Sequence, residues 1–237
     1  MKTMHKIIHL AETRGHFDYG WLDTRHTFSF SSYYNPDRIQ FGKLRVLNDD
    51  IVMPGEGFSI HPHNNMEIVS IPITGIMAHK DSENNEYLIQ PGEVQIMSAG
   101  SGITHSEYNH SAKEKLNFLQ IWILPKKINI RPRYDQKLFP DDQIRNRLKA
   151  VISPNDTEAL WINQDAVLSI GIFDKISVLN YNVIFPNNGI YLFVIDGSFQ
   201  VEKTKLNRRD GMGIVRTEAI NIETSENSRL LIIEVPL

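Results

Sequence analysis

The stretch FSIHPHNNMEIVS, residues 58–70, decides how the chain is interpreted. It is an apolar, strand-like run that carries His61 and His63 with a single residue between them. On a β-strand, residues i and i+2 point to the same face, about 6.6 Å apart. Two imidazoles at that spacing can converge on one metal ion. Pro62 cannot donate a ladder hydrogen bond, so we expect this segment at the edge or start of a strand.

A second pair with the same spacing follows in SGITHSEYNH, residues 101–110, where His105 and Glu107 are two residues apart. If the two strands meet in a small barrel, three imidazoles and one carboxylate face inward. We therefore expect a metal site between these strands. His79 and His110 have no such partner, and we interpret them as structural or exposed histidines.

Glu67 is an alternative fourth ligand, because an even number of positions separates it from His61 and from His63. On a continuous strand the three side chains would therefore share a face. On a straight strand Glu67 would lie roughly 13 Å beyond His63. It could join the site only if the turn-prone residues 64–65 bend the chain back. Parity alone leaves the choice between Glu67 and Glu107 open.

The composition indicates a globular protein and excludes several classes of site. The chain has 237 residues, 41% of them hydrophobic and 22% charged, with a net charge of −3. This balance gives no reason to expect a nucleic-acid or anionic-membrane partner. The absence of cysteine excludes disulfides, thiolate zinc sites and cysteine nucleophiles. All nine histidines lie in the first 110 residues, so imidazole chemistry is confined to the first half.

The apolar segments indicate an all-β fold in a cytoplasmic protein. Short β-branched or aromatic runs recur between turns rich in Gly, Pro, Asn and Asp, which is typical of β-sandwiches and barrels. Residues 141–152 are predicted as a short helix, and residues 131–142 as part of a connector. The N-terminus has no apolar signal region, and no apolar run approaches the ~20 residues of a membrane span.

A loose internal repeat suggests that two β units follow one another. In each half a glycine stands at the first turn, Gly75 or Gly197, and another precedes a later strand, Gly92 or Gly211. If the repeat is real, the halves share a fold, and only the first has kept a site.

The motifs resemble those of a known family. GEGFSIHPHNNME, residues 55–67, and PGEVQIMSAGSGITHSEYN, residues 91–109, resemble the two cupin motifs. HTFSFSSYYNP (26–36), LRVLNDD (44–50) and LQIWILP (119–125) are similar to signatures of the pirin family, which are bicupins. The resemblance implies two jelly-roll-type β-barrel (cupin) domains packed together, with few short helices. Residues 1–135 would form the metal-binding domain, and residues 136–237 a degenerate cupin domain without a metal site.

The resemblance also implies a ligand set. It selects His61, His63, His105 and Glu107, and it gives Glu67 a supporting role outside the set. The second motif departs from the generic cupin pattern in its longer loop SAGSG before His105. Three imidazoles and a carboxylate suit one divalent transition metal, for which Fe(II) is the first expectation and Ni, Co, Cu, Mn or Zn are alternatives.

The activity implied by the resemblance is that of a quercetin 2,3-dioxygenase, which opens the central ring of a flavonol with O2 and releases CO. Glu107 is the expected base for the flavonol 3-hydroxyl. Four apolar residues flank the motifs and could line a cavity: Phe41, Phe58, Met66 and Met97. A different class of function is a redox-responsive pirin regulator that binds a protein partner. A third class, a sugar-phosphate or small-acid cupin enzyme, would need basic residues facing the metal, and none adjoins the ligands in sequence. We expect a monomer.

Overall fold

The computed structural model describes residues 3–237, which are almost entirely β-structure. Residues 3–138 form the following strands: β1 (His5–His9), β2 (Gly15–Asp18), β3 (Leu22–His26), β4 (Leu44–Val52), β5 (Gly57–His63), β6 (Glu67–Thr74), β7 (Met77–Asp81), β8 (Glu86–Ile89), β9 (Glu93–Ser98), β10 (Ile103–Asn109), β11 (Leu116–Ile123) and β12 (Arg133–Leu138). A 3-10 turn, Ala11–Thr13, separates the first two.

The rest of the chain continues in the same way. After a short helix α1 (Asp141–Ile144) the strands are β13 (Lys149–Ile152), β14 (Val167–Phe173), β15 (Val178–Asn182), β16 (Asn188–Asp196), β17 (Ser198–Val201), β18 (Thr204–Asn207), β19 (Gly211–Val215), β20 (Ala219–Thr224) and β21 (Ser228–Pro236). Within residues 3–237, no helix has the length and apolar character that crossing a membrane requires.

The strands form two barrels that repeat one topology. In the first, a large sheet β12-β9-β6-β11-β4-β3-β2 faces a small sheet β5-β10-β7-β8. In the second, a large sheet β1-β19-β16-β21-β14-β13 faces a small sheet β15-β20-β17-β18. The order β9-β6-β11-β4 corresponds to β19-β16-β21-β14, and the small sheets correspond strand by strand. The prediction of an all-β bicupin is therefore confirmed.

The turn glycines of the sequence repeat occupy equivalent places. Gly75 and Gly197 follow equivalent strands and have φ angles of 81° and 75°, a left-handed conformation that glycine adopts without steric cost. The first strand, β1, pairs with β19 in the large sheet of the second barrel. The boundary between residues 135 and 136 stays a prediction.

Two expectations about the middle of the chain were wrong in part. Helix α1 ends at Ile144 rather than continuing to residue 152, and Asn146 has a left-handed φ of 55° that interrupts any helix. Residues 149–152 instead form β13, which pairs with β14. The predicted connector also contains β12, which completes the first large sheet beside β9.

Three apolar layers hold the barrels together. The large sheets pack face to face through side chains such as Val69, Leu119, Leu168 and Phe193. The interior of the second barrel is one apolar cluster that includes Ile220 and Ile222 of β20. The interior of the first barrel is divided between two smaller clusters. Buried polar side chains lie in the same barrel, and they include the predicted ligands.

Candidate metal centre

Strands β5, β10 and β7 bring the predicted ligands together. In the antiparallel small sheet His105 lies opposite His61, and Glu107 lies opposite His79. Burial alternates along β10, so that His105 and Glu107 point inward while Thr104 and Tyr108 are exposed. A bulge between His105 and Glu107 shifts the register with β5. Bulges of this kind often re-aim side chains beside functional sites.

The three predicted imidazoles face one another. The ring centroids of His61 and His105 are 4.4 Å apart, those of His63 and His105 4.8 Å, and those of His61 and His63 4.9 Å. One nitrogen from each ring lies within 4.8 Å of the others. Nδ1 of His61 donates a 2.7 Å hydrogen bond to the carbonyl oxygen of Ser59. That bond leaves Nε2 as the lone-pair nitrogen available to a metal.

The protonation and hydrogen bonding of the cluster suit a cation. Burial, reinforced by the neighbouring imidazoles, lowers the pKa of His63 to about 4 and that of His105 to about 3. Both rings are therefore neutral at pH 7, which is the form that binds metals. Neither ring nitrogen of buried His105 has a hydrogen-bond partner among residues 3–237. Such orphaned nitrogens fit a divalent metal ion.

Glu107 is held rigidly beside His105. Oε1 accepts a 3.0 Å hydrogen bond from the Ser70 hydroxyl, and Oε2 accepts a 2.8 Å bond from Nε2 of Gln120. Its carboxylate lies within 4.8 Å of ring nitrogens of His105 and His79, which form a second potential ligand group. Glu107 thus adjoins the three-imidazole cluster through His105, while its two oxygens are oriented by the large sheet.

His79, which the sequence analysis interprets as structural or exposed, lies inside the first barrel. It is buried beside His105, with ring centroids 5.3 Å apart, and its Nε2 lies 3.2 Å from Oδ2 of Asp81. Nδ1 has no hydrogen-bond partner within the described chain. The sequence alone has no signal for this position, because the pairing of β7 with β10 has to be known first.

Glu67 lies on the opposite face of its strand. Its neighbours Ile68 and Ser70 point into the first barrel, whereas Glu67 points towards the second half of the chain. There its Oε2 accepts hydrogen bonds from the Ser98 hydroxyl, at 2.8 Å, and from the backbone N–H of Asn163, at 3.1 Å. Burial raises its pKa to about 7. The geometry separates Glu67 from the three imidazoles and gives it a bridging role between the halves.

A row of polar side chains crosses the large sheet above the cluster. Directly paired residues on adjacent strands share a face. The pairing across six neighbouring strands places side chains in this order: His26, Asn48, Gln120, Ser70, Gln95, Gln136. Two members of this row, Ser70 and Gln120, hold Glu107. The row cannot be predicted from the sequence, because its members lie on different strands and the order of the strands has to be known first.

An open cleft of about 480 Å³ adjoins the cluster beside His63. Its wall includes Pro62, Ile103 and Thr104. Trp122 packs edge-on against the His63 ring, with centroids 4.8 Å apart. Two of the predicted lining residues, Met66 and Met97, belong to the apolar cluster around Ile103.

The other two lining predictions have different outcomes. Phe58 packs edge-on against Trp21 on the side of β5 that faces another apolar cluster. Phe41 was wrongly predicted. Its ring lies between the two large sheets, 5.5 Å from that of Tyr191, because strand-flanking loops in this fold also supply the contact between the barrels.

Comparison with known proteins agrees with this geometry. Residues 8–123 match the family model described as Pirin, and residues 150–235 match one described as Quercetinase C-terminal cupin domain. The chain is 39% identical over 227 residues to quercetin 2,3-dioxygenase of Escherichia coli strain K12, covering 95% of this chain and 96% of that protein. It is 37% identical to a pirin-like protein of Caulobacter vibrioides, covering 93% and 95%.

Solved structures show the same likeness. The crystal structure of YhhW from Escherichia coli superposes with a TM-score of 0.93 at 37% identity, over 98% of each chain. A structure of bacterial pirin YhhW in complex with nickel(II) superposes with a TM-score of 0.92 at 37% identity, over 98% of this chain and 99% of that one.

Proposed function

Because the chain belongs to the pirin family, we propose that its imidazole cluster binds a divalent metal and that the protein is a flavonol dioxygenase. The reaction is the opening of the central ring of a flavonol such as quercetin by O2, with release of CO. The observation that carries the proposal is the convergence of three imidazoles next to an oriented carboxylate and an open cleft. Relatives named quercetin 2,3-dioxygenase support the same class of reaction.

The donor set suits Fe(II), which is the metal that we propose. His61, His63 and His105 would hold the ion, and Glu107 would complete the set. Neutral imidazoles with a carboxylate suit Fe(II), Ni(II) and Co(II), and the chain contains no thiolate to favour a softer metal. The nickel(II) complex of the Escherichia coli pirin makes Ni(II) the first alternative. When bound, the metal supplies Lewis acidity that lowers the pKa of a coordinated hydroxyl.

Glu107 is the proposed base. An Oε atom of Glu107 accepts the proton of the flavonol 3-hydroxyl, since this carboxylate is fixed in place beside the cluster. Ser70 and Gln120 hold both oxygens, so the carboxylate does not reorganise as the proton arrives. Because their pKa values are lowered, His63 and His105 are neutral at the start of the reaction.

The cleft beside His63 is the proposed flavonol entrance. Its volume of about 480 Å³ lies in the range of small-molecule sites. The apolar wall of the cleft includes Ile103, which packs in one cluster with Met66 and Trp122. Such a wall binds an aromatic ring system and excludes water from the reacting atoms.

Oxygen uptake with quercetin tests the proposal. Protein loaded with Fe(II), or separately with Ni(II), is expected to consume O2 only when flavonol is present. In Glu107→Gln, turnover should fall by about 10²–10⁴-fold, the usual loss for a general base. Metal content is measured in the same samples. An amide keeps an oxygen ligand but cannot take the proton.

Glu67→Gln is the matched control, because it neutralises a second buried carboxylate of the same barrel that faces away from the cluster. It should retain turnover. If neither the Fe(II)-loaded nor the Ni(II)-loaded protein consumes O2 with quercetin, the enzyme proposal is overturned. Equal losses in Glu67→Gln and Glu107→Gln would remove Glu107 as the base.

A further inference from the structure

A second cleft lies where the two halves of the chain meet, and its lining contains no residue of the imidazole cluster. It has a volume of about 280 Å³ and is open to solvent on one side. Arginines dominate its charged lining, which consists of Arg14, Arg25, Arg208, Arg209, Glu12 and Asp49. Arg14 follows the 3-10 turn of the first half, while Arg209 lies in the turn between β18 and β19.

Two of these guanidinium groups are buried. The side chain of Arg14 is 1% exposed and that of Arg209 is 6% exposed. Nε and Nη1 of Arg14, and Nη1 of Arg209, have no hydrogen-bond partner among the residues that the structure describes. Nη2 of Arg209 donates a 3.0 Å hydrogen bond to Oδ1 of Asn117. Burying the other N–H groups without partners is costly, because burial removes hydration that the protein has to replace.

Asp49 is the one carboxylate that reaches both groups. Its Oδ2 lies 3.6 Å from Nη2 of Arg14 and 3.4 Å from Nε of Arg209. Both distances exceed the 2.7–2.9 Å or so of a charge-assisted hydrogen bond. Its Oδ1 already accepts a 2.8 Å bond from Nδ2 of Asn117. Asp49 therefore lies between the two guanidinium groups without satisfying either.

A third guanidinium increases the excess of positive charge. Half-buried Arg25 lies directly opposite Asp49 in the pairing of β3 with β4, so both side chains share the face that lines the cleft. Arg208 is paired with Asp196, at 2.9 Å, and Glu12 is exposed. The inner part of the cleft thus holds Arg14, Arg25 and Arg209 against the single carboxylate of Asp49.

We propose that this cleft between the barrels binds a small oxyanion of about two negative charges, such as a phosphate or a dicarboxylate. Guanidinium groups present paired N–H donors that match the oxygens of either group. The ligand would lie in the cleft beside Arg14, Arg25 and Arg209, and its negative charge would offset the positive charge that Asp49 leaves uncompensated. A volume of about 280 Å³ accommodates such an anion and is smaller than the cleft at the imidazole cluster.

Calorimetric titration of the full chain with inorganic phosphate tests the proposal, with succinate as the dicarboxylate arm. Ionic strength is held constant with chloride, so that general screening does not contribute. Saturable binding of one anion per chain is expected. Stronger binding of phosphate identifies a phosphate site, and stronger binding of succinate a carboxylate site. Absence of saturable binding in both arms would mean that Asp49 alone neutralises the cleft, and the proposal would be overturned.

Arg25→Gln is the informative variant, since Arg25 is half-buried and its loss leaves the buried pair intact. It should weaken anion binding by about 10- to 100-fold, as expected for one hydrogen bond to a charged group. The matched control is Arg216→Gln, which removes an exposed arginine of the second half. Circular dichroism confirms folding of both variants. Equal anion affinities of Arg25→Gln and Arg216→Gln would contradict the proposed anion site. This binding does not depend on metal or on turnover, so it is separable from the dioxygenase proposal.

Discussion

Gln120 of the large sheet and Glu107 of the small sheet are joined by a 2.8 Å hydrogen bond from Nε2 of Gln120 to Oε2 of the carboxylate. This bond crosses the interior of the first barrel between two apolar clusters. The large sheet therefore determines the direction in which a side chain of the small sheet points. The position of the carboxylate relative to His105 depends on that contact.

Replacing Gln120 by leucine should disturb Glu107 more than the imidazoles. The loss leaves Oε2 without its buried donor, which should lower the free energy of unfolding by about 1–3 kcal/mol. Flavonol turnover should fall about tenfold, with metal content retained. Gln95→Leu is the matched control, because the Gln95 amide lies in the same polar row and has no hydrogen-bond partner in residues 3–237. Similar losses in both variants would refute a specific role for Gln120.

The ligand set predicts which histidines are needed for metal. His61→Ala and His105→Ala should lose stoichiometric metal, because each removes a member of the three-imidazole cluster. His79→Ala should retain metal, although His79 lies beside His105 and Glu107. Elemental analysis of folded protein distinguishes them, with His110→Ala as the exposed control. Loss of metal in His79→Ala together with retention in His61→Ala would move the site to His79, His105 and Glu107.

The metal-free protein should lose stability as the pH falls below 6.5. The pKa of folded His105 is about 3 and its ordinary value is 6.5. Between these values the unfolded chain binds the proton and the folded chain does not, so acid favours unfolding by about 1.4 kcal/mol per pH unit for each such histidine. Urea unfolding at pH 6.5, 5.5 and 4.5 measures the slope.

His105→Asn should have a smaller slope than the parent. The comparison is needed because two buried carboxyl groups have the opposite effect. Burial raises the pKa of Asp50 and Glu67 to about 7. Their protonation therefore stabilises the fold as the pH falls through 7. Identical slopes for parent and His105→Asn would contradict the lowered pKa of His105.

The chain should hold one transition metal. The strands of the second barrel that correspond to β5 and β10 are β15 and β20, and they contribute Tyr181, Ile220 and Ile222 to an apolar core. No histidine follows residue 110. Carboxylates and amides alone hold transition metals weakly. Two tightly bound metals per chain by elemental analysis would contradict this.

Much of the fold and the imidazole pairing could be predicted from the sequence, because i,i+2 parity on a strand is a local property. His61, His63 and His105 followed from that rule. Parity failed for Glu67, since Asn65 has a left-handed φ of 47° between β5 and β6 and the alternation does not continue across it. Glu67 consequently faces Asn163 rather than the imidazoles.

Features that depend on long-range pairing could not be predicted. The burial of His79 next to His105 requires the order β5-β10-β7, and the polar row through Ser70 and Gln120 requires the order β6-β11. The membership of β1 in the second large sheet joins residues about two hundred positions apart. Local patterns contain no information on these contacts, because strands of similar character can pair in many orders.

The most direct test of the account is to measure O2 consumed and CO released by Fe(II)-loaded protein turning over quercetin in a sealed vessel. Dioxygenation of the central ring predicts that one CO is released for each O2 consumed. Metal-free protein should neither consume O2 nor release CO. O2 consumption without CO would contradict the proposed ring opening, and exchange of neither gas by the loaded protein would contradict the proposed enzyme.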